Sequence, residues 1–71
     1  MLHAKVGQIM LRVMPPEDGS TGYAQAGRVL EVTDQEILLE VQSDVKRKMR
    51  FQRSDGLDTA GVGSFLVVAP I

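Results

Sequence analysis

The stretch Gly27-Arg28-Val29-Leu30-Glu31-Val32-Thr33-Asp34-Gln35-Glu36-Ile37-Leu38-Leu39-Glu40-Val41 decides the fold. Two short apolar segments, VLEV at 29–32 and LLEV at 38–41, flank the polar break Thr33 to Glu36. Leu30 and Val32 stand two residues apart, as do Ile37, Leu39 and Val41. Side chains two apart share one face of a strand, so each segment reads as a strand and the pair as a hairpin with a longer loop. The same residues admit a rival. Thr33-x-x-Glu36 has the form of a capping box, and Ile37, Val41, Val45 and Met49 recur every four residues, which allows a helix from Asp34 to Arg50. The β-branched valines, Ser43-Asp44 at the centre of such a helix and the paired spacing of the two segments weigh for strands.

The flanks agree with strands. Upstream, Ile9, Leu11 and Val13 alternate with Met10, Arg12 and Met14, which predicts a strand with an aliphatic inner face and Met10 and Met14 outside. Pro15-Pro16 ends it, because proline cannot donate to a ladder. Residues 15–22 (PPEDGSTG) are turn-forming throughout and read as an exposed, mobile connection. Downstream, Gln42-Ser43-Asp44 offers a turn. Val45, Met49 and Phe51 then alternate with Lys46, Lys48, Arg50 and Gln52, with Arg47 as the one defect on the apolar face. Ser54-Asp55-Gly56 signals another turn, and Leu57 to Ser64 is Gly-rich and weakly structured. Phe65-Leu66-Val67-Val68-Ala69 is a continuous apolar run, so both faces of the last strand are expected to be covered.

These segments predict an all-β domain spanning 1–71: a small SH3-like barrel of about five short antiparallel strands, closed on itself to limit open edges. Gly27-x-Val29-x-x-Val32, the polar loop and Leu39-x-Val41 resemble the β-hairpin of KOW-type SH3-like modules. The resemblance covers residues 27–41 and implies the barrel fold and no functional residue. Upstream the chain departs from the family's short regular glycine spacing, since Asp18-Gly19 and Gly22 lie in a longer loop.

Composition excludes several functions. The 71 residues contain no cysteine and no tryptophan, one histidine and one tyrosine. Disulfides, thiolate metal sites and a cysteine nucleophile are therefore out, and little is left for acid–base work. No stretch approaches the ~18 apolar residues of a membrane helix, and MLHAKVGQ has no apolar run behind its lysine. The expectation is a non-enzymatic, cytoplasmic protein with no metal, no cofactor and no membrane contact. Aromatic residues make up only 4% of the chain, so few large rings are available to fill a core. A chain this small and without staples is expected to self-associate. Met10, Met14, Leu38, Leu66 and Val68 are the expected interface residues, on outward Met/Leu patches and the doubly apolar last strand.

Charge is the strongest asymmetry. Residues 1–45 carry three cations against seven anions, a balance of -4, and residues 54–71 add two anions. Residues 46–53 hold Lys46, Arg47, Lys48, Arg50 and Arg53, five of the eight basic residues and a balance of +5. On a strand, Lys46, Lys48 and Arg50 form a row of cations roughly 6.5–7 Å apart. Arg47 and Arg53 extend it. Such a row fits the phosphate backbone of a nucleic acid. It also suits an edge strand that must resist aggregation, or pairing with Glu40 and the acids of 31–36. Two other functions stay open: a protein-interaction or structural accessory module without nucleic-acid binding, and a ligand pocket formed between subunits. His3 stands alone at a frayed terminus. Asp55-Gly56-x-Asp58 reads as a turn. Gly61-x-Gly63-Ser64 has loop amides that an anion could use, and none of the serines has a base beside it in the sequence.

Overall fold

Strands, not a helix, occupy residues 27–41 in the computed structural model, which describes every residue except 18, 20, 43–45, 70 and 71. The expected turn at Ser43-Asp44 and the apolar residue Val45 therefore lie outside the described residues. The strands are β1 (Ile9–Met14), β2 (Tyr23–Val32), β3 (Glu36–Val41), β4 (Arg47–Gln52) and β5 (Phe65–Val68). They form one antiparallel sheet in the order β4-β3-β2-β1-β5, curled into a half-barrel. Residues 57 and 58 reach both outer strands, through the bridges Phe51↔Asp58 and Leu57↔Phe65. Among the described residues no helix is long and apolar enough to cross a membrane.

The β2–β3 loop is closed by a side chain. The Thr33 hydroxyl accepts the amides of Gln35 and Glu36 at 3.3 and 3.0 Å, and the Thr33 amide donates to the Glu36 carbonyl at 2.9 Å. Thr33 thus serves a hairpin instead of capping a helix, the alternative use of such residues. The register pairs Val29 with Leu39, Glu31 with Leu38 and Val32 with Ile37, leaving Leu30 as an extra residue in a β-bulge. The bulge turns Val29 and Val32 toward the core, and Leu30 does not share a face with Val32 as its spacing predicts.

The core consists of Met10, Val29, Ile37, Leu39, Val41, Phe51 and Leu66, with Leu2, Ala4, Val32 and Met49 packed against it. Two interface expectations fail here: Met10 and Leu66 are buried within their own chain, at 0% and 3% exposure. β1 is turned over relative to its expected orientation, with Met10 and Arg12 inside and Ile9, Leu11 and Val13 half-buried outside. The cause lies across the ladder. Met10 pairs with Gly27, and a Cβ there would stand 2.7 Å from the Leu39 side chain. The missing side chain lets Leu39 close over β2 and leaves the inner position to a flexible methionine. Of the remaining expected interface residues, Met14 and Leu38 are half-buried and Val68 is 56% exposed at the end of its strand.

The first eight residues are pinned, not frayed. Leu2 donates its amide to the Arg53 carbonyl at 2.7 Å, and Gly7 donates to the Val29 carbonyl at 2.8 Å. Val29 in turn donates to the Gln8 carbonyl at 2.9 Å.

Candidate nucleic-acid interface

β4 is an outer strand, and alternation sorts its residues. Phe51 is buried and Met49 half-buried, while Lys48, Arg50 and Gln52 are exposed on the opposite, outer face. Lys46 is exposed immediately before the strand, and Arg47 is exposed at its first position. The five basic residues thus occur on extended or turn backbone, but they divide into groups with different surroundings.

Arg53 is spent on the fold. Its Nε donates to the Leu2 carbonyl at 3.1 Å and its Nη1 to the Thr33 carbonyl at 2.8 Å. Its amide donates to the Gln35 carbonyl at 2.9 Å. One side chain therefore ties the N-terminal segment to the β2–β3 loop. Arg50 is shared between two acids, with Nη1 3.6 Å from Glu36 and 3.9 Å from Glu31. All three side chains are more than a third exposed, so each pair is worth at most about 1 kcal/mol. They still surround Arg50 with more negative than positive charge. Lys46, Arg47 and Lys48 make no ion pair within 4.0 Å among the described residues. These three are the part of the row that is exposed without an ion pair among the described residues.

The part of the β4 edge near Asp58 is covered. Gln52 donates its amide to the Leu57 carbonyl at 2.8 Å, and Thr59 donates to the Arg50 carbonyl at 3.0 Å. The even-numbered residues of β4 thus turn their backbone groups to this edge. Lys48 is the next of them, and its long charged side chain guards the uncovered portion against strand addition.

A second polar group lies where β1, the start of β5 and the segment at Asp58 meet. Arg12 and Ser64 are buried at 4% and 0% exposure, and Asp58 at 7%. Arg12 donates from Nε to the Ser64 hydroxyl at 3.1 Å and from Nη1 to Gln25 Oε1 at 2.8 Å. Its guanidinium also stands 5.9 Å from the centre of the Tyr23 ring. The Ser64 hydroxyl donates to Asp58 Oδ2, so a hydroxyl links the buried cation to the buried carboxylate. Asp58 also accepts the amides of Val62 and Ser64, each at 3.1 Å. Burial pushes the Asp58 carboxyl up, but the Ser64 hydroxyl and the amides of Val62, Ser64 and Gly61 outweigh it and hold the carboxyl below its ordinary 3.8. Gly61 and Gly63, at φ of +77° and +89°, give the loop the curvature that turns these amides inward.

This group was not legible as a cluster. The Gly61-x-Gly63-Ser64 amides do meet an anion, and it is the chain's own Asp58. The serine with an acid beside it was missed because the two are six residues apart in a loop read as weakly structured. The available signal was an Asp followed by a Gly-rich loop returning to a Ser. Among the described residues no three His, Cys, Asp or Glu come together as a metal site. Comparison with known proteins finds no matching family model, no matching curated protein and no matching solved structure.

Proposed function

We propose that this protein is a non-enzymatic binding module that contacts a nucleic acid through the beginning of β4. The observation that carries the reading is the exposure of three consecutive cations, Lys46, Arg47 and Lys48, without an ion-pair partner among the described residues. Exposed cations at the start of a strand attract a phosphate backbone by displacing its counterions, and they need no base-specific contact to do so. Each engaged phosphate adds about 0.7 to the salt slope on a single strand and about 0.9 on duplex DNA. Arg53 is withdrawn from this surface by its two carbonyl contacts, and Arg50 is weakened by Glu31 and Glu36.

The test is binding of labelled DNA and RNA oligonucleotides by the whole chain over a salt series. Wild type binds at low salt and releases steeply as salt rises. The double variant Lys46→Glu, Lys48→Glu loses binding while keeping its circular dichroism spectrum, since both side chains are exposed. Unchanged binding by a folded double variant overturns the proposal.

A protein-contacting role with self-association is favoured by a separate observation. The outer surface of β5, β1 and the first half of β2 is apolar, with Val67–Leu11–Ala26 and Phe65–Val13–Ala24 in adjacent cross-strand rows. The two surfaces are distinct, and one chain can use both.

A further inference from the structure

The outer face of the sheet offers a polyanion two paths from Lys46 and Lys48. One runs along β4 to Arg50, as the spacing of the basic row suggests. The other runs across the strands. Arg28 on β2, Glu40 on β3 and Lys48 on β4 stand in one cross-strand row, through the pairs Arg28↔Glu40 and Glu40↔Lys48. Their inward neighbours Val29, Leu39 and Val41 are buried, so all three side chains project from the outer face. Arg28 and Lys48 therefore start about 10 Å apart, two strand spacings. A surface depression lies beside this row, lined by Arg28, Glu40, Val41, Gln42 and Lys46.

Charge decides between the paths. Toward Arg50 the polyanion meets Glu31 and Glu36, both within 4.0 Å of the guanidinium it would need. Toward Arg28 it meets, among the described residues, one carboxylate, Glu40, and three cations, Arg28, Lys46 and Lys48. Among the described residues Glu40 forms no ion pair within 4.0 Å with either neighbour. Among the described residues the Arg28 side chain makes a single long contact, 3.5 Å from Nη1 to the Gly7 carbonyl. The cations of this end are therefore free to turn toward a ligand. Arg50 is not.

We infer that the nucleic-acid strand crosses the sheet from Lys46, just before β4, and Lys48 on β4 to Arg28 on β2, and that Glu40 beneath it limits the affinity. The ligand class is a phosphodiester backbone, and Arg28 is a contact residue that its place outside the basic run conceals. The inference rests on the reading of β4 as a nucleic-acid-binding strand. Glu40 stands between Arg28 and Lys48 in the row and is a like charge beside any bound phosphate. At about 6 Å and an effective dielectric of about 40–80, removing that like charge tightens binding roughly three- to tenfold.

The experiment measures anisotropy of a labelled oligo-dT strand with wild type, Arg28→Gln, Glu40→Gln and Arg50→Gln over a salt series, each variant first checked for an unchanged circular dichroism spectrum. Glu40→Gln is expected to bind three- to tenfold tighter at the lowest salt. Arg28→Gln is expected to weaken binding and to lower the salt slope by about 0.7, and Arg50→Gln to leave the slope unchanged. A reduced slope in Arg50→Gln with Arg28→Gln and Glu40→Gln silent puts the strand along β4 and overturns the inference while leaving the nucleic-acid reading intact. No binding by wild type at the lowest salt overturns the nucleic-acid reading itself, and this inference with it.

Discussion

Asp58 accepts three hydrogen bonds, from the Val62 amide and from the amide and hydroxyl of Ser64, in a loop where a neutral residue would weaken them. Hydrogen bonds to a charged group are worth about 1.5–3 kcal/mol, and Asp58→Asn is expected to cost that much at neutral pH because an amide oxygen replaces an anion opposite a buried Arg12. The carboxyl is held below its ordinary value in the folded state, so its sign in acid is fixed. Above the unfolded value of about 3.9 both states are ionised and the contribution is complete. As the pH falls below about 5 the unfolded chain takes up the proton first, stability declines, and the contribution is gone once the pH passes the folded value. Urea titrations at neutral pH and at pH 3 check this: wild type is expected to lose more stability on acidification than Asp58→Asn. Equal losses in the two proteins would show that Asp58 does not titrate in folding. At this scale the sequence is least informative. Ser64 and Asp58 are separated by a glycine loop, and Arg12 comes from the other end of the chain, so only the curled sheet brings the three together. The alternation of β1 was legible as a strand but not as an orientation, because Arg12 can be inside only when Ser64 and Gln25 receive it.

Elements were more legible than their details. The strand reading of 27–41 and 46–52 follows from period-two spacing, and the structure has β2, β3 and β4 there. The bulge at Leu30 escaped because an inserted residue leaves no mark in apolar spacing; VLEV is equally good with Leu30 or Val29 inside. Arg53 escaped for a different reason. Five cations in eight residues read as one patch, yet the last of them lies past the end of β4, where the chain turns under the N-terminal segment. Its side chain joins three elements: the segment at Leu2, the loop at Thr33 and the end of β4. Arg53→Met keeps the stem and removes both donors. The expected cost is about 1–2 kcal/mol, since the two freed carbonyls lie near solvent and can be rehydrated. The more specific readout is hydrogen exchange at the Leu2 amide, which donates to the Arg53 carbonyl and is expected to exchange much faster in the variant. A Leu2 amide that stays protected would mean that packing of Leu2 on the core holds the segment without help from the guanidinium.

For the whole molecule, the curl of the sheet creates an inside and an outside with different tasks. Among the described residues the inside holds seven buried apolar side chains and is closed at the seam by residues 57 and 58. A radius of gyration of 11.5 Å is near the ~11 Å expected for a folded chain of this length, so the half-barrel is not splayed open. The outside divides into two territories. β4 and the adjoining parts of β3 and β2 carry the charges, whereas Ile9, Leu11, Val13, Phe65 and Val67 form an apolar region with Ala24 and Ala26 at its margin. A two-fold interface must be complementary to itself, and a region without charges meets that condition where the charged half does not. Two copies are therefore expected to pack through β1 and β5, leaving β4 of each free for its polyanion. The region is small beside a standard interface of roughly 800 Å² per partner, so the dimer should be weak and concentration-dependent. Light scattering across a concentration series is expected to show a mass rising from 7.8 kDa toward twice that value. Leu11→Lys, on the outer face and away from the core, should hold the chain at the monomer mass with an unchanged fold. A wild-type mass that stays at the monomer value at the highest attainable concentration would assign this face to a different protein. A dimer that survives Leu11→Lys would place the contact elsewhere on the sheet. The two territories adjoin at the Ile9↔Arg28 pair, and an oligonucleotide long enough to reach both copies is expected to raise the apparent dimer affinity by supplying them with one shared strand.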